Sequence, residues 1–362
     1  MLSRFMSQTA IICIANIVAI KLAYPQQGEP EIEEVVVWGR SLQLLGTADS
    51  ASQGVVGYSD FSTRPMARVA ELVEVVPGMI ATQHSGPGKA NQYFLRGFNL
   101  DHGSDFSTYF DGMPVNLRTH AHAQGYMDLN FIIPEIIERV DFQKGPYFAE
   151  TGDFSLAGSN SMKTYDTLEE GFTELTLGSR DEIRFVTANS FDFREGMLLY
   201  ALEHQQTNGF YDLEQDVRKL NGFLKYTGDI RGVPSRVSFS AYDSEWISTN
   251  QVPLRAVKTG LIDRFGYIDP DLGGKSHRFS LTGNFALTEN WALNLYASSY
   301  YMSLINNPTY LLNDPVNGDE FEQEDRRQLF GGALRNEKEI KLFGIPVRRG
   351  IGTDIRYDDV SE

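Results

Sequence analysis

The chain has 362 residues, a formal net charge of −16, 41% hydrophobic residues and one cysteine. That acidic balance excludes a binder of nucleic acid, which needs a basic face. Cys13 lies in the N-terminal apolar run, so a mature chain has no disulfide or cysteine metal site, and no later run reaches the roughly 18 apolar residues of a spanning helix.

Residues 1–24 have the layout of a signal peptide. Arg4 gives the positive start, and Ile11 to Ile20 give a short apolar core interrupted by Asn16. Residues 25–45 read as a linker that carries the run Glu33-Glu34-Val35-Val36-Val37-Trp38-Gly39. One isolated strand has neither partners nor a covered face. This run therefore suits addition to the edge of another protein's sheet, the alternative being the first strand of the next domain.

Residues 46–165 read as a compact mixed α/β domain. Arg68 to Val76 has helical spacing and ends at Pro77-Gly78. Strands are expected at Gln92 to Arg96 and Ser107 to Phe110, the second leading into an Asp111-Gly112 hairpin turn. A short helix at Pro134 to Glu138 and a strand at Arg139 to Gln143 precede Gly145-Pro146.

Residues 166–362 change character. Strand-like runs fall at 170–178, 182–192, 196–206, 219–229, 235–247, 276–288, 290–303, 325–340 and 345–357. Phe279, Leu281, Phe285 and Leu287 alternate with Ser280, Thr282 and Asn284, and Val237, Phe239 and Ala241 alternate with Ser238 and Ser240. A soluble sandwich also alternates. Short turns alternating with long polar links at about 207–218, 248–275 and 304–324 favour a transmembrane β-barrel.

Five segments, in order, resemble TonB-dependent outer-membrane receptors. Glu33 to Gly39 looks like the Ton box, and Val76-Pro77-Gly78 like the end of the plug's first helix. Asn91-Gln92-Tyr93-Phe94-Leu95-Arg96-Gly97-Phe98 resembles the plug's "IRG" strand. Tyr109-Phe110-Asp111-Gly112-Met113-Pro114-Val115 resembles its "DG-x-P" hairpin, and Ile137 to Pro146 its "IERVEVLKGP" signature. The departure comes at Tyr147 to Ser159, where the family's glycine-rich strand is replaced by an atypical sequence.

The resemblance implies an α+β plug domain followed by antiparallel transmembrane β-barrel strands, in a barrel of about 22 strands. It implies export through the periplasm to the Gram-negative outer membrane and contact with its lipid. It also implies uptake of a scarce ligand, a ferric siderophore or other metal chelate first, with no catalysed reaction and no cofactor. Glu33, Glu34, Val35, Val36, Val37 and Trp38 would pair with TonB and its inner-membrane energising complex. Arg96, Glu138 and Arg139 would hold plug against barrel. The residues after Tyr165 are too few for about 22 strands of some ten residues. A truncated product, inactive alone, is therefore expected: a gene fragment, an incomplete reading frame or one piece of a split receptor.

His84, His102, His120 and His122 cluster in sequence around the hairpin. Asp101, His102, Arg118, His120, His122 and Tyr126 are the candidate ligand contacts. Imidazole and carboxylate suit metals, but nothing in the spacing joins His120-Ala121-His122 to Asp101-His102, and no metal site is assigned. The competing reading is a secreted all-β binding or adhesion protein with no transport role. Enzyme motifs are lacking: Gly86-Pro87-Gly88-Lys89 does not have the spacing of a phosphate loop.

Overall fold

The computed structural model describes residues 50, 52–64, 66, 68–83 and 86–361. The expected signal peptide, the Ton-box-like run Glu33 to Gly39 and His84 lie outside the described residues.

Two small sheets form the first domain. One has the order β1-β7-β8-β5-β6, from β1 (Gln53–Gly57), β5 (Phe106–Phe110), β6 (Met113–Pro114), β7 (Ile137–Lys144) and β8 (Gly158–Thr164). Its β5 and β8 run parallel, and its other pairings are antiparallel. The other sheet is the short meander of β2 (Met79–Thr82), β3 (Gln92–Leu95) and β4 (Phe98–Asn99).

The segment expected as a helix over Arg68 to Val76 is instead a 3-10 helix at Val69–Val75. Three of its seven residues are valine, whose branched side chains crowd the preceding turn of an α-helix. Val69, Ala70, Leu72, Val73 and Val75 are buried. Gly78 then takes φ +90°, and its carbonyl accepts the Arg96 amide at 2.8 Å.

The Asp111-Gly112 turn has φ +46° and +88°, both in the left-handed region that a tight hairpin requires. The Asp111 carboxylate accepts the Thr164 backbone amide at 3.0 Å and its hydroxyl at 2.7 Å, which ties the hairpin to β8. Asn116 binds three further segments together. Its Oδ1 accepts the Thr108 amide at 2.7 Å, and its Nδ2 faces the carbonyls of Gly103, Phe106 and Gly125 at 2.9, 3.1 and 3.2 Å.

The second region is one antiparallel meander of nine strands. They are β9 (Phe172–Leu177), β10 (Ile183–Phe193), β11 (Gly196–Thr207), β12 (Val217–Ile230), β13 (Val233–Ile247), β14 (Gly273–Ala286), β15 (Trp291–Asn306), β16 (Phe321–Leu342) and β17 (Ile345–Ser361). At one end the turns are tight, with positive φ at Arg194, at Arg231-Gly232 and at Phe343-Gly344. At the other end run the long links 208–216, 248–272 and 307–320.

The faces of this sheet decide between barrel and sandwich. Phe279 and Leu281 are 48% and 50% exposed, whereas Ser280 and Thr282 are each 3% exposed. Phe239 is exposed between buried Ser238 and Ser240. A soluble sheet would bury the apolar set, but this one turns it outward, as a wall against hydrocarbon does. The hydroxyls face inward and pair across strands, as Ser280 does with Ser298 at 2.9 Å. The first domain packs on that inner face: Phe110 meets Phe223 of β12 edge to face at 6.0 Å. Val186, Leu199, Ala201 and Tyr242 of the sheet belong to the same buried core as Ile132, Ile136 and Met162 of the first domain.

Candidate binding apex and docking seam

Asp101, His102, His120, His122 and Tyr126 converge at the end of the first domain that faces the long links. His120 stacks on Tyr126 with ring centroids 3.9 Å apart and planes 2° apart. Its Nε2 lies 3.3 Å from the Tyr300 hydroxyl of β15 and 4.0 Å from the Asp325 carboxylate of β16. Burial, then the nearby Arg327 charge and the other histidines, push the His120 imidazole down to about 2. It is neutral near pH 7.

His102 is buried, with Nδ1 3.0 Å from the carbonyls of Ala90 and Asn91, so this nitrogen carries the hydrogen. Its ring lies 4.9 Å from that of His122. The Tyr126 hydroxyl accepts the Ala90 amide at 2.8 Å and contacts Met302 Sδ at 3.5 Å. The histidines fold back on each other, as the His122 amide donates to His120 Nδ1 at 3.1 Å. Among the described residues no group of three or more His, Cys, Asp or Glu is placed to hold a metal ion. Arg118 stands apart from this cluster and pairs with Asp153 at 2.9 Å.

A seam of polar side chains joins the first domain to the inner wall. Arg184 of β10 gives Glu135 two hydrogen bonds, at 2.6 and 2.9 Å, and a third at 2.7 Å to buried Glu203. Lys219 of β12 also reaches Glu203, at 3.2 Å. Asn221 donates to the Asn130 carbonyl at 2.9 Å, and the Arg278 guanidinium lies 4.3 Å from the Phe131 ring centre. Lys225 donates to the Thr164 carbonyl and hydroxyl at 3.0 Å, and pairs with Asp166 at 2.9 Å. Asn284 and Arg356 each reach a backbone carbonyl, of Asp111 and Asn116, at 2.9 Å.

Two carboxyls of the seam are shifted in opposite directions. Burial pushes Asp128 up to about 6, against the Asn130 amide and the Arg278 charge. Burial also acts upward on Asp166, but its bonds to Arg236 and Lys225 prevail and hold it at about 2. Beside the seam lies a cavity of about 1050 Å³, between the polar face of the five-stranded sheet (Ser107, Tyr109, Asp141) and the wall at Asn284, Asn294 and Arg335.

Among the described residues Arg96, Glu138 and Arg139, the three side chains expected to hold plug against barrel, have ion pairs within the first domain or none. Arg96 is at an exposed hairpin tip with φ +53°, and Glu138 is exposed. Arg139 pairs within its own domain, with Asp141 at 3.3 Å. Among the described residues no hydrogen bond or ion pair links any of the three to the nine strands. The contacts that do bridge the two regions are those of Arg184 with Glu135, Asn221 with Asn130, Lys225 with Thr164 and Arg278 with Phe131. On the wall side their signal in the sequence is a polar or charged residue at an inward position of an alternating strand.

Residues 47–159 match the model of the TonB-dependent Receptor Plug Domain. Over 219 residues the chain is 26% identical to the vitamin B12 transporter BtuB of Vibrio vulnificus (strain CMCP6), covering 59% of this chain and 34% of that one. The siderophore receptor PirA from Acinetobacter baumannii superposes with a TM-score of 0.59 at 13% identity, over 85% of this chain and 48% of PirA. The copper transporter OprC superposes with a TM-score of 0.61 at 16% identity, over 86% and 46%. The chain thus spans about a third of that curated relative and about half of these solved structures.

Proposed function

We propose that the plug-domain match over residues 47–159 and the barrel-like wall of nine strands belong to a TonB-dependent receptor of the outer membrane, and that the protein serves energised uptake of a ferric siderophore or another metal chelate. What supports the reading is a plug gripped by the inner face of an inverted sheet, with its apex among the long links. Solute would land on that apex, at Asp101, His102, His120, His122 and Tyr126, with Arg118 to the side. Exposed Asp101 and half-buried His122 would meet a ligand first.

Glu33 to Trp38 would add as a strand to the sheet of TonB, where main-chain hydrogen bonds give affinity. Force delivered there would rearrange the plug. Arg96, Glu138 and Arg139 would meet groups of the barrel wall beyond the nine strands. A cobalamin ligand is the second reading, favoured by the match to BtuB.

The test is accumulation of radiolabelled ferric siderophore and of cyanocobalamin by cells carrying the gene, with and without Val36→Pro. Proline removes one amide from the added strand. Uptake of one ligand, lost in the variant and in a TonB-deficient host, supports the reading. No uptake of either ligand, or uptake indifferent to both changes, overturns it.

A further inference from the structure

The outward face of the wall changes chemistry along its strands. From β12 to β17 the register aligns Leu224, Phe239, Leu281, Ala297, Phe330 and Tyr357 in one row. All of them except Ala297 are large and exposed, as a surface against acyl chains is. Toward the long links the next row is mixed. Phe279, Ser299 and Gln328 stand side by side there, and Gln328 donates to the Ser299 hydroxyl at 2.8 Å. The row beyond, His277, Tyr301 and Arg326, is polar, and Lys275 follows on the same face of β14.

Tyr301 is the centre of this end. His277 stacks on its ring at 4.9 Å and 24°. The Arg326 guanidinium lies 5.1 Å and the Lys275 ammonium 5.8 Å from the ring centre. With Ser299 and Gln328 they line a concavity of about 440 Å³. Three carboxylates stand nearby. Glu324 holds Arg326 at 2.6 Å, Glu245 pairs with Arg218 at 3.5 Å, and Asp243 is the cross-strand neighbour of His277. Lys275 and His277 have neither a hydrogen bond nor an ion pair among the described residues.

We propose that Lys275, His277 and Arg326 seat the phosphate headgroup of a membrane lipid whose acyl chains run down the apolar row. The occupant follows from the two chemistries in contact. A free phosphate would satisfy the donors and leave Phe279, Leu281 and Phe330 bare. A neutral lipid would cover those side chains and leave the Lys275 ammonium without a counter-charge. An anionic amphiphile meets both. Phe279 lies two residues below His277, about 7 Å along the strand, where headgroup gives way to chain, and Leu281 lies about 13 Å below, among the chains.

The long links rise from this end of the strands, which places the site at the outer leaflet. A lipid seated there spans β14, β15 and β16, below the links 248–272 and 307–320. The inference uses the outward face of the wall and not the solute carried, so it and the uptake reading can fail separately.

Native mass spectrometry of the full chain, released from dodecyl maltoside micelles, tests it. The probes are phosphatidic acid and phosphatidylcholine with the same acyl chains. Phosphatidic acid should bind about tenfold more tightly, since each basic side chain at a lipid surface contributes roughly fivefold and Glu324 offsets part of Arg326. Lys275→Gln takes no ion pair from the fold and should lose about fivefold of that preference. Lys275→Gln with Arg326→Gln should lose all of it. Lys338→Gln with Lys341→Gln removes two charges at the short-turn end and should keep it. Equal binding of the two lipids by the wild type overturns the site, as does a preference that both double variants keep or both lose. Inorganic phosphate that displaces phosphatidic acid overturns the lipid as the occupant.

Discussion

Glu135 of the plug takes both terminal nitrogens of Arg184 from the wall, at 2.6 and 2.9 Å, while the same guanidinium reaches Glu203 through Nε. One planar cation thus spans plug and barrel with a geometry that lysine cannot copy. Arg184→Met leaves Glu135 partly buried without its partner, and plug docking should weaken by about 2 kcal/mol, below the figure for a fully buried pair because 15% of each side chain is exposed. Urea titration read by Trp246 emission, in a Trp38→Phe, Trp291→Phe background, measures it.

Asp111 holds Thr164 through two hydrogen bonds, one of them buried between side chains. Asp111→Ala should cost about 2 kcal/mol. Asp111→Asn keeps one acceptor and tolerates the left-handed backbone, so it should cost about half of that. The ordering of the two urea midpoints is the check, and equal midpoints would remove the carboxylate's assigned role.

Gly88 and Gly97 separate steric from conformational demands. A Cβ at Gly88 would come within 1.9 Å of the Trp246 ring, whereas one at Gly97, with φ +82°, would meet nothing within 4 Å. Gly88→Ala should cost about 1–3 kcal/mol and shift the tryptophan emission. Gly97→Ala should cost about 1 kcal/mol with the emission unchanged.

His120 and Asp128 set opposing pH dependences. His120 has an ordinary value of 6.5 and is held at about 2 by burial, Arg327 and its neighbouring histidines. The unfolded chain alone binds that proton, so stability falls as pH drops through 6.5. Asp128 moves from 3.8 to about 6 on burial, so the folded state keeps its proton longer. Its contribution falls as pH rises from about 4 to about 6. Over that window the two partly cancel. Thermal melts should show Asp128→Asn losing stability more steeply in acid than the wild type, and His120→Gln less steeply.

The nine wall strands were legible because alternation is a local property of the chain, and each expected run overlaps an observed strand. The plug hairpin was legible because Asp-Gly fixes its own turn. Strands β1 and β8 were not. Gly158 to Thr164 has no alternation of its own and becomes a strand only by pairing parallel with β5 and antiparallel with β7. Valines 69, 73 and 75 carried a helical period, but their branching tightened it to a 3-10 helix.

The apex was half legible. Asp101, His102, His120, His122 and Tyr126 do meet, but Arg118 faces Asp153 instead. The seam was missed because a motif marks residues within one domain, whereas Glu135 and Arg184 are partners only once plug and wall meet.

Asn116 makes one position of the plug almost closed to change. Its oxygen faces an amide while its nitrogen faces three carbonyls. Aspartate, the nearest shape, would turn an acceptor toward those carbonyls, and glutamine would carry its amide one carbon too far. Natural variants of this chain should therefore differ freely at the surrounding loop residues while this amide recurs unchanged, a molecular fixed point by which diverged copies could still be aligned.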